Sequence, residues 1–297
     1  MRLIVLGDLH LTEFDDPQLV EARDFFFEEF FRQVAAHQAD LVIAVGDTVT
    51  YGYISELTRQ DELAAKAGLK MLRIPGNHDA YKVPKNELAP FFLGEHPRAS
   101  QTDLFTTFDA GPVRFLLLDT TREIDTNWSG FVTDEQLAWL DEQIAAYNQS
   151  GPPFLVAMGH HPITGTTHLS ELLWYNIFNS PAVQERFARL TRPPAFYVCG
   201  HNHSNSITGP DAQGWYYVQL GAPSLPLTTT EAICGLKRLI LTAPTRLSGR
   251  PWIRPGRPRT KGLTNDRRKR CSGSLMTICW WCPASFNWLY CLGNLNQ

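Results

Sequence analysis

Residues 70–79 read KMLRIPGNHD. Met71, Leu72 and Ile74 are apolar and read as the end of a buried strand. Pro75 cannot extend a central ladder, and Gly76 permits a tight turn. Asn77, His78 and Asp79 follow at once. Short polar side chains at the carboxyl end of a strand stand where open α/β sheets place their ligands. A polar turn explains this stretch equally well when it is taken alone. Four other stretches repeat the arrangement: Gly7-Asp8-Leu9-His10, Gly46-Asp47, Gly159-His160-His161-Pro162 and Gly200-His201-Asn202-His203. A chance polar turn does not account for all five.

The elements between these stretches alternate. Residues 3–6 form an apolar run that reads as a first strand. Residues 20–37 read as a helix, with Phe25, Phe26, Phe27, Phe30 and Phe31 on a wide apolar face that packs on a sheet. Residues 41–45 are continuously apolar, as in a strand covered on both faces. Residues 56–67 read as a second helix with Gly68 beyond its end, and residues 84–93 as a short one. Strand, helix, strand is the start of an α/β domain.

The signal then changes. Residues 104–108 and 113–118 are strand-like and separated by Asp109-Ala110-Gly111-Pro112, a hairpin that opens a second sheet. Asp119 follows it and is expected near the same face as the other motifs. Residues 133–147 read as a helix, with Thr133 as cap and Gln136 at the capping-box position. Residues 154–158 and 196–199 are strands, each ending in a histidine motif. Between them, residues 169–178 and 182–190 read as helices, and Trp174, Tyr175 and Phe178 either line a pocket rim or pack on the domain. Residues 215–220 and 232–241 are late strands of the second sheet.

The chain of 297 residues is 43% hydrophobic, enough for a sizeable core. Its formal charge of −3 hides an asymmetry. Residues 245–297 hold ten Lys or Arg and one acid, Asp266, about +9, which leaves about −12 on residues 1–244. An acidic body argues against a general grip on nucleic acid and suits divalent cations. Only Cys199 and Cys234 lie in the body, without a pairing pattern, and no basic region precedes a long apolar stretch at the N-terminus. A cytoplasmic setting is expected.

Residues 245–297 differ in kind. Residues 250–258 are rich in Pro, Gly and Arg, Arg267-Arg268-Lys269-Arg270 is a basic block, and residues 275–293 are mostly apolar with Trp280, Trp281 and Trp288. A basic block before an apolar stretch is the pattern of a membrane anchor, weakened here by Pro283, Ser285, Asn287 and marginal length. Cys271, Cys279, Cys282 and Cys291 are a poorer fit to zinc, since only Cys279 and Cys282 are suitably spaced. We expect a domain over 1–244 and a basic, Cys- and Trp-rich tail over 245–297 outside the catalytic core.

Asp8, His10, Asp47, Asn77, His160, His201 and His203 offer carboxylate, imidazole and one amide. Those donors suit Mn²⁺, Zn²⁺ or Fe²⁺, whereas calcium wants more oxygen and structural zinc more thiolate. Asp8 and His10, two apart, point the same way in an extended chain and can reach one ion. Seven ligands with one shared suffice for two metals, each with an open position.

The ordered set DxH, GD, GNHD, GH and GHxH resembles the calcineurin-like metallophosphoesterase superfamily over residues 1–243. The nearest look is to the branch with class III cyclic nucleotide phosphodiesterases. The resemblance implies a four-layer α/β/β/α sandwich with two mixed sheets. It implies that Asp8, His10 and His203 hold a first metal, that Asn77, His160 and His201 hold a second, and that Asp47 bridges them. The ions would be Mn²⁺, Fe²⁺/Fe³⁺ or Zn²⁺. The reaction implied is hydrolysis of a small-molecule phosphodiester by a metal-bridging hydroxide. His78 would protonate the leaving oxygen, with Asp79 accepting from its other ring nitrogen. One departure is Thr50, where the family often has Asp or Asn. Thr50-Tyr51-Gly52 and Asp79 also differ from the Ser/Thr protein phosphatase pattern. The competing readings are a non-catalytic scaffold of the same fold, which usually lacks a ligand or the catalytic histidine, and a nuclease, which the acidic body disfavours.

Overall fold

The structure is a computed structural model that describes residues 1–223 and the backbones of residues 239–242 and 275–279. Its first part is β1 (Arg2–Leu6), α1 (Pro17–Ala36), β2 (Leu41–Val45), α2 (Ile54–Lys66) and β3 (Leu72–Ile74). The three strands pair in parallel in the order β1-β2-β3. Asp16 caps α1 by accepting from Gln18 N, and Pro17 fits its first turn. Phe27, Phe30, Phe31 and Val34 of α1 and Leu57, Leu63 and Ala64 of α2 are buried in the same core as β1–β3. Each such phenylalanine contributes about 1.5–3 kcal/mol by leaving water. Phe25 does not join them and is 73% exposed, because it lies off the buried stripe of the helix.

The chain then passes through α3 (Lys85–Leu88) and a 3₁₀ turn (Ala89–Phe91), a shorter helix than the apolar spacing suggests. The second sheet follows: β4 (Thr106–Ala110), β5 (Val113–Leu117), α4 (Asp134–Ser150), β6 (Phe154–Met158), α5 (Ser180–Phe187), β7 (Ala195–Cys199), β8 (Ser206–Thr208) and β9 (Trp215–Gln219). Its order is β4-β5-β6-β7-β9-β8, parallel from β5 to β9 with antiparallel strands at both edges. The strands alternate cleanly. Val113, Phe115, Leu117, Val156, Met158 and Val198 share a core with the first sheet. Leu116, Leu155, Ala157, Tyr197 and Cys199 share another with Leu137, Leu140 and Ile144 of α4 and Val183 and Phe187 of α5. The result is four layers, helices, sheet, sheet, helices, as expected.

Thr133 does cap α4, accepting from Gln136 N. Gln136 is no capping-box partner, however. Its Oε1 accepts from Asp119 N and its Nε2 donates to Asp119 O, which fastens α4 to the end of β5. Asp119 itself is not at the metal ligands; it is buried against Lys85 Nζ at 2.9 Å and accepts from Leu104 N and Thr121 N. Residues 169–178 are turns rather than a helix. Leu169 and Trp174 have positive φ, and Asn176 Nδ2 takes the carbonyls of Ser170 and Leu172, breaking a ladder the apolar spacing would allow.

Two further backbones belong to the first sheet. β10 (Leu239–Thr242) pairs with β11 (Leu275–Cys279), and β11 lies parallel beside β1. The expected strand over 232–241 is thus described only from 239, and in the first sheet rather than the second. The other features of 245–297, the basic block and the tryptophans, lie outside the described residues. Among the described residues, no helix is long and apolar enough to cross a membrane.

Candidate metal centre

Every expected ligand follows a parallel strand at its carboxyl end. Asp8 and His10 follow β1, Asp47 follows β2 and Asn77 follows β3; His160 follows β6, and His201 and His203 follow β7. Both sheets therefore deliver side chains to one place. The backbone there is held in an uncommon conformation: Asp8, His10, Asp47, His201 and His203, five of the seven, have positive φ. Such strain persists only where the surroundings over-determine it, and it clusters at functional sites. Two glycines allow the close approach. A Cβ on Gly76 would stand 2.1 Å from Asp47 N, and one on Gly200 2.4 Å from Asp8 Oδ2.

The donors form two groups. In one, His160 Nε2 lies 3.1 Å from Asp47 Oδ2, 3.1 Å from Asn77 Oδ1 and 3.3 Å from His201 Nδ1. The outer nitrogens of both rings are engaged by carbonyls: His160 Nδ1 donates to Val45 O at 2.9 Å and His201 Nε2 to Trp174 O at 3.2 Å. Those bonds hold the two rings with their inner nitrogens facing one another. Asn77 Nδ2 donates to Tyr81 OH at 2.6 Å, which leaves the amide oxygen facing His160. In the other group, His10 Nε2 and His203 Nε2 are 2.9 Å apart, with Asp8 Oδ1 3.6 Å from the latter and Asp47 Oδ2 3.8 Å from the former. Asp47 stands between the groups.

These residues fit cations. Asp8 Oδ2 is buried without a hydrogen-bond partner, a costly arrangement that a cation would relieve. Burial pushes His10 and His201 down to about 3 and lowers His203, so these imidazoles are neutral and offer lone pairs. Burial pushes Asp8 up to about 8, with His160 opposing and Asp47 adding to the rise. Burial also works to lower His160, but Asp47 overrides it and raises the ring to about 9. Burial would raise Asp47, yet His160 and His78 hold it well below the usual carboxylate range. A cation beside Asp8 and His160 would oppose both of these upward shifts.

His78 sits beside the His10 group, its ring 4.7 Å from that of His10 and edge-on to it. Its backbone N donates to Asp47 Oδ1 at 2.9 Å. The expected bond from its ring to Asp79 is not made. His78 Nδ1 lies 2.6 Å from Thr50 O instead. Asp79 is fully buried beneath the loops, where Oδ1 accepts from Thr48 N, Thr48 Oγ1 and Val49 N, and Oδ2 from Gly76 N. Asp79 is therefore a brace for the Asp47 and Asn77 loops. The physical reason is proximity: four unpaired donors of two tight turns converge on it, and His78 has a nearer carbonyl.

Thr50 also explains the departure at that position. Its hydroxyl is 2.7 Å from Thr12 Oγ1 and donates to His10 O, while its carbonyl serves His78. Sequence reading passed over Tyr81, whose spacing of four from Asn77 is the only clue. It also passed over the carbonyls of Val45, Thr50 and Trp174, which have no side-chain signature. His161 lies beside His160 and His201, but its Nδ1 is 2.8 Å from Thr120 Oγ1.

The calcineurin-like phosphoesterase family profile matches residues 1–205. A glycerophosphodiester phosphodiesterase of Enterobacter lignolyticus is 28% identical over 195 residues, which is 65% of this chain and 63% of that protein. A probable cyclic nucleotide phosphodiesterase of Rhodopseudomonas palustris is 32% identical over 168 residues, 54% of this chain and 56% of that one. The chain thus matches only about three fifths of these relatives' lengths. Among solved structures, a dimetal phosphatase from Danio rerio superposes with a TM-score of 0.59 at 14% identity, over 74% of this chain and 87% of that one. A purple acid phosphatase from yellow lupin gives 0.54 at 15% identity, over 81% and 50%. These two share the fold.

Proposed function

The chain belongs to the calcineurin-like phosphoesterase family, and from that premise we propose that it is a dinuclear metal-dependent hydrolase of small-molecule phosphodiesters. The observation that carries the reading is Asp47 standing between two groups of imidazole donors, 3.1 Å from His160 and 3.8 Å from His10. Asp8, His10 and His203 would hold one cation, Asn77, His160 and His201 the other, and Asp47 both. When bound, the pair supplies Lewis acidity toward phosphoryl oxygens and acidifies water. Manganese, iron and zinc all suit the donors.

The chain's own groups do the rest. Val45 and Trp174 carbonyls hold two ligand rings in place, and Tyr81 holds the amide of Asn77. His78 Nδ1 donates to Thr50 O, so Nε2 is the nitrogen that takes and releases the proton at the ester oxygen. No serine or cysteine nucleophile is required. The names of the two phosphodiesterase relatives favour diesters over monoesters. With every ligand and His78 present, a scaffold role has no observation in its favour.

The test is turnover of bis(p-nitrophenyl) phosphate and of p-nitrophenyl phosphate by purified protein reconstituted with Mn²⁺, Fe²⁺ or Zn²⁺. Diester hydrolysis above monoester hydrolysis is expected. Failure on both with every metal, in protein shown to hold two ions, would overturn the reading.

A further inference from the structure

A file of aromatic rings leaves the centre on its His201 side. The ring of Tyr175 is 6.0 Å from that of His201, and Trp128 stands 6.4 Å beyond Tyr175, nearly perpendicular at 82°. The outer end is open: Trp128 is 49% exposed, and Trp174, next to Tyr175, is 54% exposed. Large apolar side chains left in water at the mouth of a polar centre mark a binding surface.

These rings are set on tethered backbone. Asn202, between the two ligands His201 and His203, places Nδ2 3.2 Å from Tyr175 O and 3.3 Å from His168 O. His201 Nε2 donates to Trp174 O. Gly130 N donates to Asn176 O and Phe178 N to Gly130 O, which joins the loop bearing Trp128 to the loop bearing Tyr175. The same residues that fix a ligand ring therefore fix the position of the wall, which is the preorganisation a binding surface needs.

A phosphodiester bound through its phosphoryl oxygens has two esterified groups, and one remains attached while the other departs. The retained group must lie beside the centre. We propose that Tyr175 and Trp128 form the subsite for that group and select phosphodiesters whose retained substituent is apolar and flat. The proposal rests on the phosphodiesterase reading above. It adds the class of substrate, and it explains why the middle residue of Gly200-His201-Asn202-His203 is an amide that reaches Tyr175.

Two measurements on Mn²⁺-loaded full-length protein test it. The first is calorimetric binding of phenylphosphonate and methylphosphonate, which needs no turnover. Phenylphosphonate should bind about 5- to 10-fold more tightly, the worth of one aromatic contact. That gap should shrink at least about threefold in Trp128→Ala and in Tyr175→Leu and return in Trp128→Phe. The second is kcat/KM for p-nitrophenyl phenyl phosphate against p-nitrophenyl methyl phosphate, which share a leaving group, with the preference for phenyl residing in KM. Turnover of both esters with no gap, or a gap that neither variant alters, would overturn the wall and leave the phosphodiesterase reading standing. A phosphonate gap that the variants abolish, without turnover of either ester, would support the wall and overturn the enzyme reading. Failure of both phosphonates to bind, with no turnover of either ester, would overturn both.

Discussion

His78 Nδ1 lies 2.6 Å from the carbonyl oxygen of Thr50. A carbonyl only accepts, so Nδ1 carries a hydrogen and the second nitrogen is free to exchange its proton. His78→Ala should keep both metals, because no ligand depends on its ring, and should lower turnover by ~10²–10⁴. The loss should be greatest with alkoxide leaving groups and smallest with p-nitrophenolate. Metal analysis and leaving-group series on wild type and variant, run side by side, check this. A uniform loss across leaving groups would assign His78 to holding the phosphate instead.

Asp79 should behave as a brace. Asp79→Asn presents an amide NH₂ to donors that now meet carboxylate oxygens, either Gly76 N or the Thr48 and Val49 group. A cost of about 1–3 kcal/mol in stability is expected. Thermal unfolding should show it, and metal affinity should weaken with it. Leaving-group dependence should match wild type; a changed dependence would return Asp79 to the proton-transfer path.

Asn77→Ala removes the amide oxygen 3.1 Å from His160 Nε2. One ion per chain should be lost more readily than the other, with turnover partly restored by excess Mn²⁺. Tyr81→Phe should produce a weaker form of the same defect, since it frees the amide that Tyr81 OH now orients. Occupancy titrations followed by metal analysis distinguish this from a defect in both ions equally.

Metal binding should release protons. In the ion-free centre Asp8 and His160 titrate at about 8 and about 9, above their ordinary 3.8 and 6.5, while His10 and His201 are already neutral. Loading at pH 7 should therefore expel about two protons, measurable by calorimetry in buffers of different ionisation enthalpy. Both groups hold more protons folded than unfolded between pH 6.5 and 8. Their contribution to ion-free stability is thus lost as pH rises through that window and on to about 9. The melting temperature of ion-free protein should fall over that range, and the affinity for Mn²⁺ should rise. A pH-independent affinity would contradict this.

We propose that the catalytic unit ends near residue 244, because every candidate ligand lies at or before His203. Removing 245–297 also removes β11, which pairs with β1. Truncated protein should still bind two ions and hydrolyse the model diester, but melt at a lower temperature. Loss of metal binding in soluble truncated protein would place the tail within the catalytic unit.

The two-sheet fold and the convergence of seven side chains were legible because Gly–Asp and Gly–His pairs close apolar runs, and parallel strands bring their carboxyl ends together. Residues 169–178 were not legible: Leu169, Leu172 and Leu173 carry helical spacing, but positive φ at Leu169 and Trp174 overrides it. Gln136 sits where a capping box would use it and is taken by Asp119 instead. Asp79 adjoins His78 in sequence, yet its partners come from the turns at residues 48, 49 and 76. Local spacing names the residues near a site and leaves their hydrogen-bond partners open.

The ligands are divided between two sheets that meet face to face. Asp8, His10, Asp47 and Asn77 extend from one, and His160, His201 and His203 from the other. An ion shared by Asp47 and His160 would be a rivet through the sandwich. Chelation would then unfasten one edge of the whole domain, and hydrogen exchange should quicken first at the carboxyl ends of β2 and β6.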